Sequence, residues 1–375
     1  MSKSTMRDAI LRGDMNRRDF SRALAAAGLT FAALPILARP AKAEAPKLTV
    51  FEWSGYDAPE LHQAYIKKYG ASPQYSLFAT EEEALQKMLG GFTPDLMHPC
   101  SYNIKRWKDA GVLQPFDVSR IPEYGNIWER FRTIPQTSFD DQVYLIPFDA
   151  GMSSILYRPD LVDPADVADP SWGLLFNEKY KGKLSMYNTD TTFIELAARV
   201  MGIYADYQHL SDEQLAAIKV MLVKQKELMR FYWDDATQME QAMASGELVA
   251  AYAWNGSVTA LRKQGIPVEY MVPKEGVLGW CCGMVRHAQA PGDEAAAYDM
   301  VNAMLDPEAG KFLIEQQGYF HSNSKSYALV DKEILAGLGV ADPEPAFNAL
   351  AIDPEPEEPY RSKYIALVDQ VKSGT

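Results

Sequence analysis

Apolar and polar positions begin to alternate at residues 47–52, a period of two that predicts a β-strand. Pro59 then opens a helical spacing through Leu61, Ala64, Tyr65 and Tyr69, and Gly70 closes it. The same unit recurs. Residues 75–78 read as a strand, and Thr80-x-x-Glu83 is the sequence of a capping box for a helix that runs to Leu89 and stops at Gly90-Gly91. Residues 95–97 read as a third strand, followed by a helix over 105–110 that Gly111 ends. Further along, Ser211-x-x-Gln214 predicts the start of a long helix reaching Lys226, and Thr237-x-x-Glu240 the start of another that stops at Gly246. A buried strand is expected over 248–254, then helices over 293–305 and 307–317 divided by Pro307. Strands alternating with helices predict an α/β protein with mostly parallel, doubly wound sheets, whose ligands sit at the carboxyl ends of the strands.

The first 43 residues break this pattern. Asn16-Arg17-Arg18-Asp19-Phe20 leads into an apolar run over 23–38 and then Ala41-Lys42-Ala43, the three parts of an export leader cleaved after Ala43. The paired arginines resemble the twin-arginine motif, although Asn16 and Ser21 depart from it and leave the general secretory path open. The run is too short and too interrupted, by Gly28 and Pro35, to anchor the chain in a membrane.

Those 43 residues hold eight Lys/Arg and three Asp/Glu, so the remainder carries 29 basic against 47 acidic residues, a net charge of −18. Such a field repels nucleic acid and anionic membranes and concentrates cationic solutes. A chain of this length suggests two domains. The three cysteines, Cys100, Cys281 and Cys282, are too few for a disulfide framework and lack zinc spacing; Cys281 and Cys282 read as small buried hydrophobes on a strand. Among the histidines, His62, His209 and His287 fall in surface-like contexts, whereas His98 and His321 lie beside strand ends as hydrogen-bonding groups. No catalytic residue, metal site or cofactor motif is found, so no cofactor and no enzyme activity are expected. The tract Asp353-Pro354-Glu355-Pro356-Glu357-Glu358-Pro359 reads as a solvated loop.

What stands out is where the aromatics fall. Trp53 and Tyr56 follow the first strand, Cys100, Ser101 and Tyr102 the third, Trp254 ends a later one, and Trp280 lies beyond Gly279. Any one of them is compatible with core packing. Together they suggest a cleft whose ring faces hold an ammonium group.

Trp53-x-x-Tyr56, Pro99-x-x-Tyr102, Tyr180-Lys181-Gly182, Trp254-Asn255-Gly256-Ser257, Pro273-Lys274-Glu275-Gly276 then Trp280, and Gly318-Tyr319 followed by Asn323 occur in this order. The ordered set resembles the periplasmic spermidine/putrescine-binding proteins of ABC importers. That resemblance implies a two-lobed periplasmic-binding-protein fold of the type II kind, each lobe a mixed, mostly parallel sheet flanked by helices, with the ligand in the cleft between them. Residues 44–147 plus 282–322 would form lobe one, and 148–281 plus 323–375 lobe two. It implies a small amine ligand, delivery to an inner-membrane ABC permease, a periplasmic location and a monomer, with Trp53, Tyr56, Tyr102, Trp254, Trp280 and Tyr319 lining the groove.

The family's carboxylates are replaced. Its two central acids fall on Thr189 and Thr192, the acid after the tryptophan falls on Cys282, and the serine after Pro99 is Cys100. Burying an ammonium without a carboxylate costs several kcal/mol, so either other acids substitute or the ligand differs. Asp149, Asp190 and the tail acids Glu357 and Glu358 are candidates for the first. A quaternary ammonium or a zwitterion such as γ-aminobutyrate is the candidate for the second, its carboxylate met by Arg262 or by the hydroxyls of Ser101, Thr189 and Thr192. An exported cofactor enzyme and a same-fold receptor for an anion or metal chelate are the readings from other classes.

Overall fold

The computed structural model describes residues 46–189 and 191–374. The leader and the candidate Asp190 lie outside them. Thirteen strands are assigned among the described residues: β1 (Thr49–Trp53), β2 (Gln74–Phe78), β3 (Leu96–Met97), β4 (Leu113–Gln114), β5 (Ser138–Phe139), β6 (Gln142–Val143), β7 (Ile146–Tyr157), β8 (Leu184–Tyr187), β9 (Met229–Trp233), β10 (Ala250–Trp254), β11 (Glu269–Tyr270), β12 (Leu278–His287) and β13 (Phe320–His321). The main sheet runs β2-β1-β3-β12-β7-β10-β8-β9. β1 is parallel to β2 and β3, and β8 is parallel to β9 and β10, as expected from the alternating pattern. The centre is antiparallel: β12 pairs with β3 on one side and β7 on the other, and β7 pairs with β10.

Two groups of core residues flank this sheet, the first of them split over the two faces of β1. Around β1, successive residues feed opposite faces: Val50 joins Leu61, Phe148 and Met300, while Phe51 joins Phe78, Leu85 and Trp107. A parallel strand buried on both faces needs that apolar run. The other core gathers Ile155, Leu184, Met186, Leu222, Trp233, Ala251 and Leu261. β7 and β12 run continuously from one core to the other, since Phe148 and Met284 belong to the first and Ile155 and Leu278 to the second.

The tail divides differently from the expectation that 323–375 would stay together. Tyr327, Val330, Leu335, Phe347 and Ile352 pack into the core that contains Leu48 and Val50. Only helix Tyr360–Ser373 returns to the second core, through Tyr364, Leu367, Val368 and Val371. The sequence carries no period that ties a tail segment to one core.

Most helix starts follow the sequence. Thr80 accepts from the Glu83 N–H, and Ser211 and Gln214 form the full capping box. Helix Ala236–Ser245 is capped by Asp235, not Thr237, which leaves the Glu240 side chain for another role. Helix Pro307–Phe312 continues into a π-turn, Leu313–Gln317, that Gly318 closes in the left-handed conformation. No helix of the described residues is long and apolar enough to cross a membrane.

Candidate functional site

A cleft of about 870 Å³ opens at the strand ends between the two cores. Trp53, Tyr56, Cys100, Tyr102, Asp149, Thr189, Thr192, Trp254, Trp280, Cys282 and Tyr319 all line it. Ser101 does not: it is buried, turned away from the cleft. Arg262 is also absent from the lining; it donates to the Val268 carbonyl and pairs with Glu269 on the outer surface.

The aromatic groups stand where strand punctuation placed them. The Trp53 indole N–H donates to the His98 carbonyl at 2.7 Å, and its ring packs against Phe78 at 4.4 Å. Tyr56 and Tyr319 stack at 6.3 Å, and Trp280 meets Tyr319 edge-on at 5.3 Å. Trp280 lies directly over Gly151, where an added Cβ would come within 2.2 Å of the indole, so only glycine seats that ring. On the opposite wall Trp254 packs edge-on against Trp233 and Tyr187.

Below Tyr56 lies a buried charged network of which Asp149 faces the cleft, while Glu52 and His98 lie behind it. His98 donates from Nδ1 to Glu52 at 2.6 Å and from Nε2 to Asp149 at 2.9 Å, and the Tyr56 hydroxyl donates to the other Asp149 oxygen. Burial disfavours the imidazolium, yet the two carboxylates outweigh it and push His98 up to about 10, so both ring nitrogens carry protons at neutral pH. This raised value stabilises the fold fully below the ordinary histidine range, and that support is lost as pH rises through about 10. His98 is therefore more than the single hydrogen-bonding residue the sequence suggested: it holds Asp149 in place beneath the aromatics. His321, by contrast, is neutral, pushed down to about 4 by burial, and accepts from the Asn323 N–H. His62 and His287, expected near the surface, are both buried, with His62 held between Ser72 and Tyr75.

Cys100 and Cys282 form a disulfide, so Cys282 is not the small buried hydrophobe expected from the sequence, while Cys281 stays free and buried. The two sulfurs are 182 residues apart in sequence, and nothing local announces the pairing. β3 and β12 are sheet neighbours, and the bond joins the loop after β3 to a register break at Cys282/Gly283. There the Gly283 N–H leaves the β7 ladder and donates to the Pro99 carbonyl at 3.0 Å. Two of the four positions that the resemblance gives to polar ligand contacts are thus sulfur, bonded to each other.

Among the cleft acids that were not singled out from the sequence, three stand beside specific neighbours. Glu81, on the first turn of helix Glu81–Leu89, accepts the Cys100 N–H at 2.7 Å. Burial, only partly offset by Cys100, Tyr102 and Asn103, raises its carboxyl to about 7. Glu240 sits beside Ser257 and Tyr319 and is raised by burial. Glu355 accepts from Thr191 at 3.1 Å and from Arg361 at 2.9 Å, so the tract 353–359 is no solvated loop: Asp353, Pro354 and Glu355 line the cleft, while Glu357 and Glu358 stay exposed outside it. In all, nine carboxylates and three basic side chains line the cleft among the described residues.

Known proteins share this architecture. The spermidine/putrescine-binding periplasmic protein of Escherichia coli K12 is 27% identical over 291 residues, 76% of this chain and 80% of that protein. Among solved structures, a protein of Listeria monocytogenes described provisionally as a spermidine/putrescine ABC transporter superposes with a TM-score of 0.77 at 23% identity, covering 88% of this chain and 99% of that one. The spermidine/putrescine ABC transporter substrate-binding protein PotD of Streptococcus pneumoniae superposes with a TM-score of 0.71 at 24% identity, over 87% and 98% of the two chains. Residues 63–338 match the family of bacterial extracellular solute-binding proteins, and the chain belongs to it.

Proposed function

We propose that the protein captures a small organic amine outside the inner membrane and hands it to an ABC permease, without chemistry of its own. The observation that carries this reading is the lining of the cleft. Ring faces from Tyr56, Trp280 and Tyr319 surround a wall rich in carboxylates, the pairing that suits an ammonium joined to methylene groups. Asp149 is the primary counter-charge, since His98 and Tyr56 fix its position from below. Glu81, Glu240 and Glu355 take over from the acids replaced by Thr189, Thr192 and Cys282.

The reading extends to the chain's organisation. Lobe one comprises 44–147, 282–322 and the tail to residue 352, lobe two the rest, and the lobes close over the ligand as a monomer. The leader at 1–43 directs export by the twin-arginine route to the periplasm, where E. coli's similar protein works.

The test is a thermal-shift and calorimetric panel of putrescine, spermidine, butylamine, γ-aminobutyrate and glycine betaine. A ligand at about 100 times its dissociation constant should stabilise the fold by roughly 2.7 kcal/mol. Trp280→Ala should weaken the best ligand by about 2 kcal/mol. Absence of a shift with every amine overturns the proposal.

A further inference from the structure

One carboxylate in the cleft has neither a cationic nor an N–H partner. Of the nine acids in the lining, four lie against arginines, Asp149 lies against His98, and three accept from a backbone or amide N–H. Among the described residues Glu240 is the exception. Only the Ser257 hydroxyl stands beside it, and that oxygen is buried and makes no other hydrogen bond. Burial holds the Glu240 carboxyl above its ordinary range, Ser257 offsets part of the rise, and nearby Asp235 adds to it. A half-buried acid in this condition lacks the partner that buried polar groups ordinarily have.

The segment after β10 places that acid across Tyr319 from Asp149. Asn255 accepts from the Met152 N–H at 2.9 Å and donates to the Gly318 carbonyl at 2.6 Å, which ties the end of β10 to β7 and to the turn before Tyr319. At Gly256 an added Cβ would come within 2.7 Å of the Tyr319 ring, so the phenol closes directly over the start of helix Gly256–Lys263. Ser257 follows, with Glu240 of helix Ala236–Ser245 beside it. After burial, the charges of Glu240 and Asp149 both push the Tyr319 hydroxyl up, so each carboxylate lies within reach of that one ring. Tyr319 in turn stacks on Tyr56, whose hydroxyl rests on Asp149. An aromatic surface therefore connects two acids, the first held by His98 and Tyr56, the second unclaimed.

We infer that Glu240 is a specificity-determining ligand contact: it receives a second positively charged nitrogen, while the first sits at Asp149 and the carbons between them lie along Tyr319. This rests on the amine reading above and narrows it to a ligand with two cationic nitrogens. The resemblance places its acids at Thr189, Thr192 and Cys282, so the counter-charge stands here on a different helix.

Calorimetry on the intact protein compares putrescine with butylamine, which has the same four carbons and one nitrogen. The wild type should bind putrescine at least about tenfold better. Glu240→Gln keeps the shape and removes the charge; it should weaken putrescine by about tenfold or more and butylamine by less than about twofold. Glu82→Gln removes an acid already paired with Arg106 and should leave the putrescine-to-butylamine ratio within about twofold of the wild type, which separates a contact from the general field of the cleft. If Glu240→Gln weakens both amines equally or leaves putrescine unchanged, or if the wild type binds γ-aminobutyrate or glycine betaine but not putrescine, the inference is overturned while the amine reading stands. If the wild type binds none of the four, the amine reading itself falls. Should Glu240→Gln not fold, Glu240→Asp takes its place, with the same loss confined to putrescine expected from its shorter reach.

Discussion

The two walls of the cleft are built by different means. The near wall, Tyr56, Asp149, Trp280 and the Cys100–Cys282 bond, rests on sheet strands and on a buried charge network with no freedom to adjust. The far wall, Asn188, Thr189, Thr191 and Thr192 with Glu355 and Lys372, is assembled from residues after β8, an irregular tail segment and the last turn of a helix. Electrostatic preorganisation is thus concentrated on one side. The near wall supplies a fixed negative charge under aromatic rings, whereas the far wall is a set of polar contacts that sequence change can rewrite without disturbing either core.

The sharpest way to break this contrast is Asp149→Ala. It leaves the His98 imidazolium with a single buried carboxylate and should cost about 3–5 kcal/mol in urea unfolding, with amine binding abolished. An equally stable variant would show that the network is ornamental. Next is the staple. Cys100→Ser with Cys282→Ser should lower stability by about 2–4 kcal/mol, and reductant should reproduce that loss in the wild type but leave the double variant unmoved.

A subtler distinction lies in pH. Glu81 holds its proton up to about 7 in the folded chain, well above the ordinary carboxylate range, so its support of the fold is present at acid pH and lost as pH rises through about 7. An ammonium favours the ionised carboxyl, so affinity should rise about tenfold from pH 6 to pH 8 and stay flat in Glu81→Gln, as read by calorimetry at both pH values. The smallest effect belongs to neither wall. Lys181 and Glu227 pair at 3.3 Å on the open surface, and Lys181→Ala should change the unfolding midpoint by less than about 0.5 kcal/mol and leave binding unchanged.

How legible each wall was in the sequence follows from the same contrast. Trp53, Tyr56, Trp254 and Trp280 could be assigned to strand ends because glycines, prolines and caps mark where strands end, and the cleft they line lies at those ends. β7 was not legible: Pro147, Asp149, Ser153 and Ser154 interrupt any period, and it is a strand only because β12 and β10 flank it. The acids were hidden behind local meanings. Glu81 stands in a run of three acids at a helix start, Glu240 in a false capping box, and Glu355 in a proline-rich tract that reads as solvent-facing. Their role is set by approach across the fold, and no nearest-neighbour chemistry announces that.

The continuous passage of β7 and β12 through both cores has a mechanical meaning. Segments joined by a paired ladder resist sliding past one another, and at Asp149 and Ala150 the ladder is three strands wide, β13-β7-β12. The ladder is interrupted only at Cys282/Gly283, and there the bond to Cys100 ties it to the β1 side of the sheet. Asp149 and Trp280 therefore stand beside the most heavily tied stretch of the crossing strands, while Thr189, Glu355 and Lys372 are carried by a loop, a tail segment and a helix end outside that ladder.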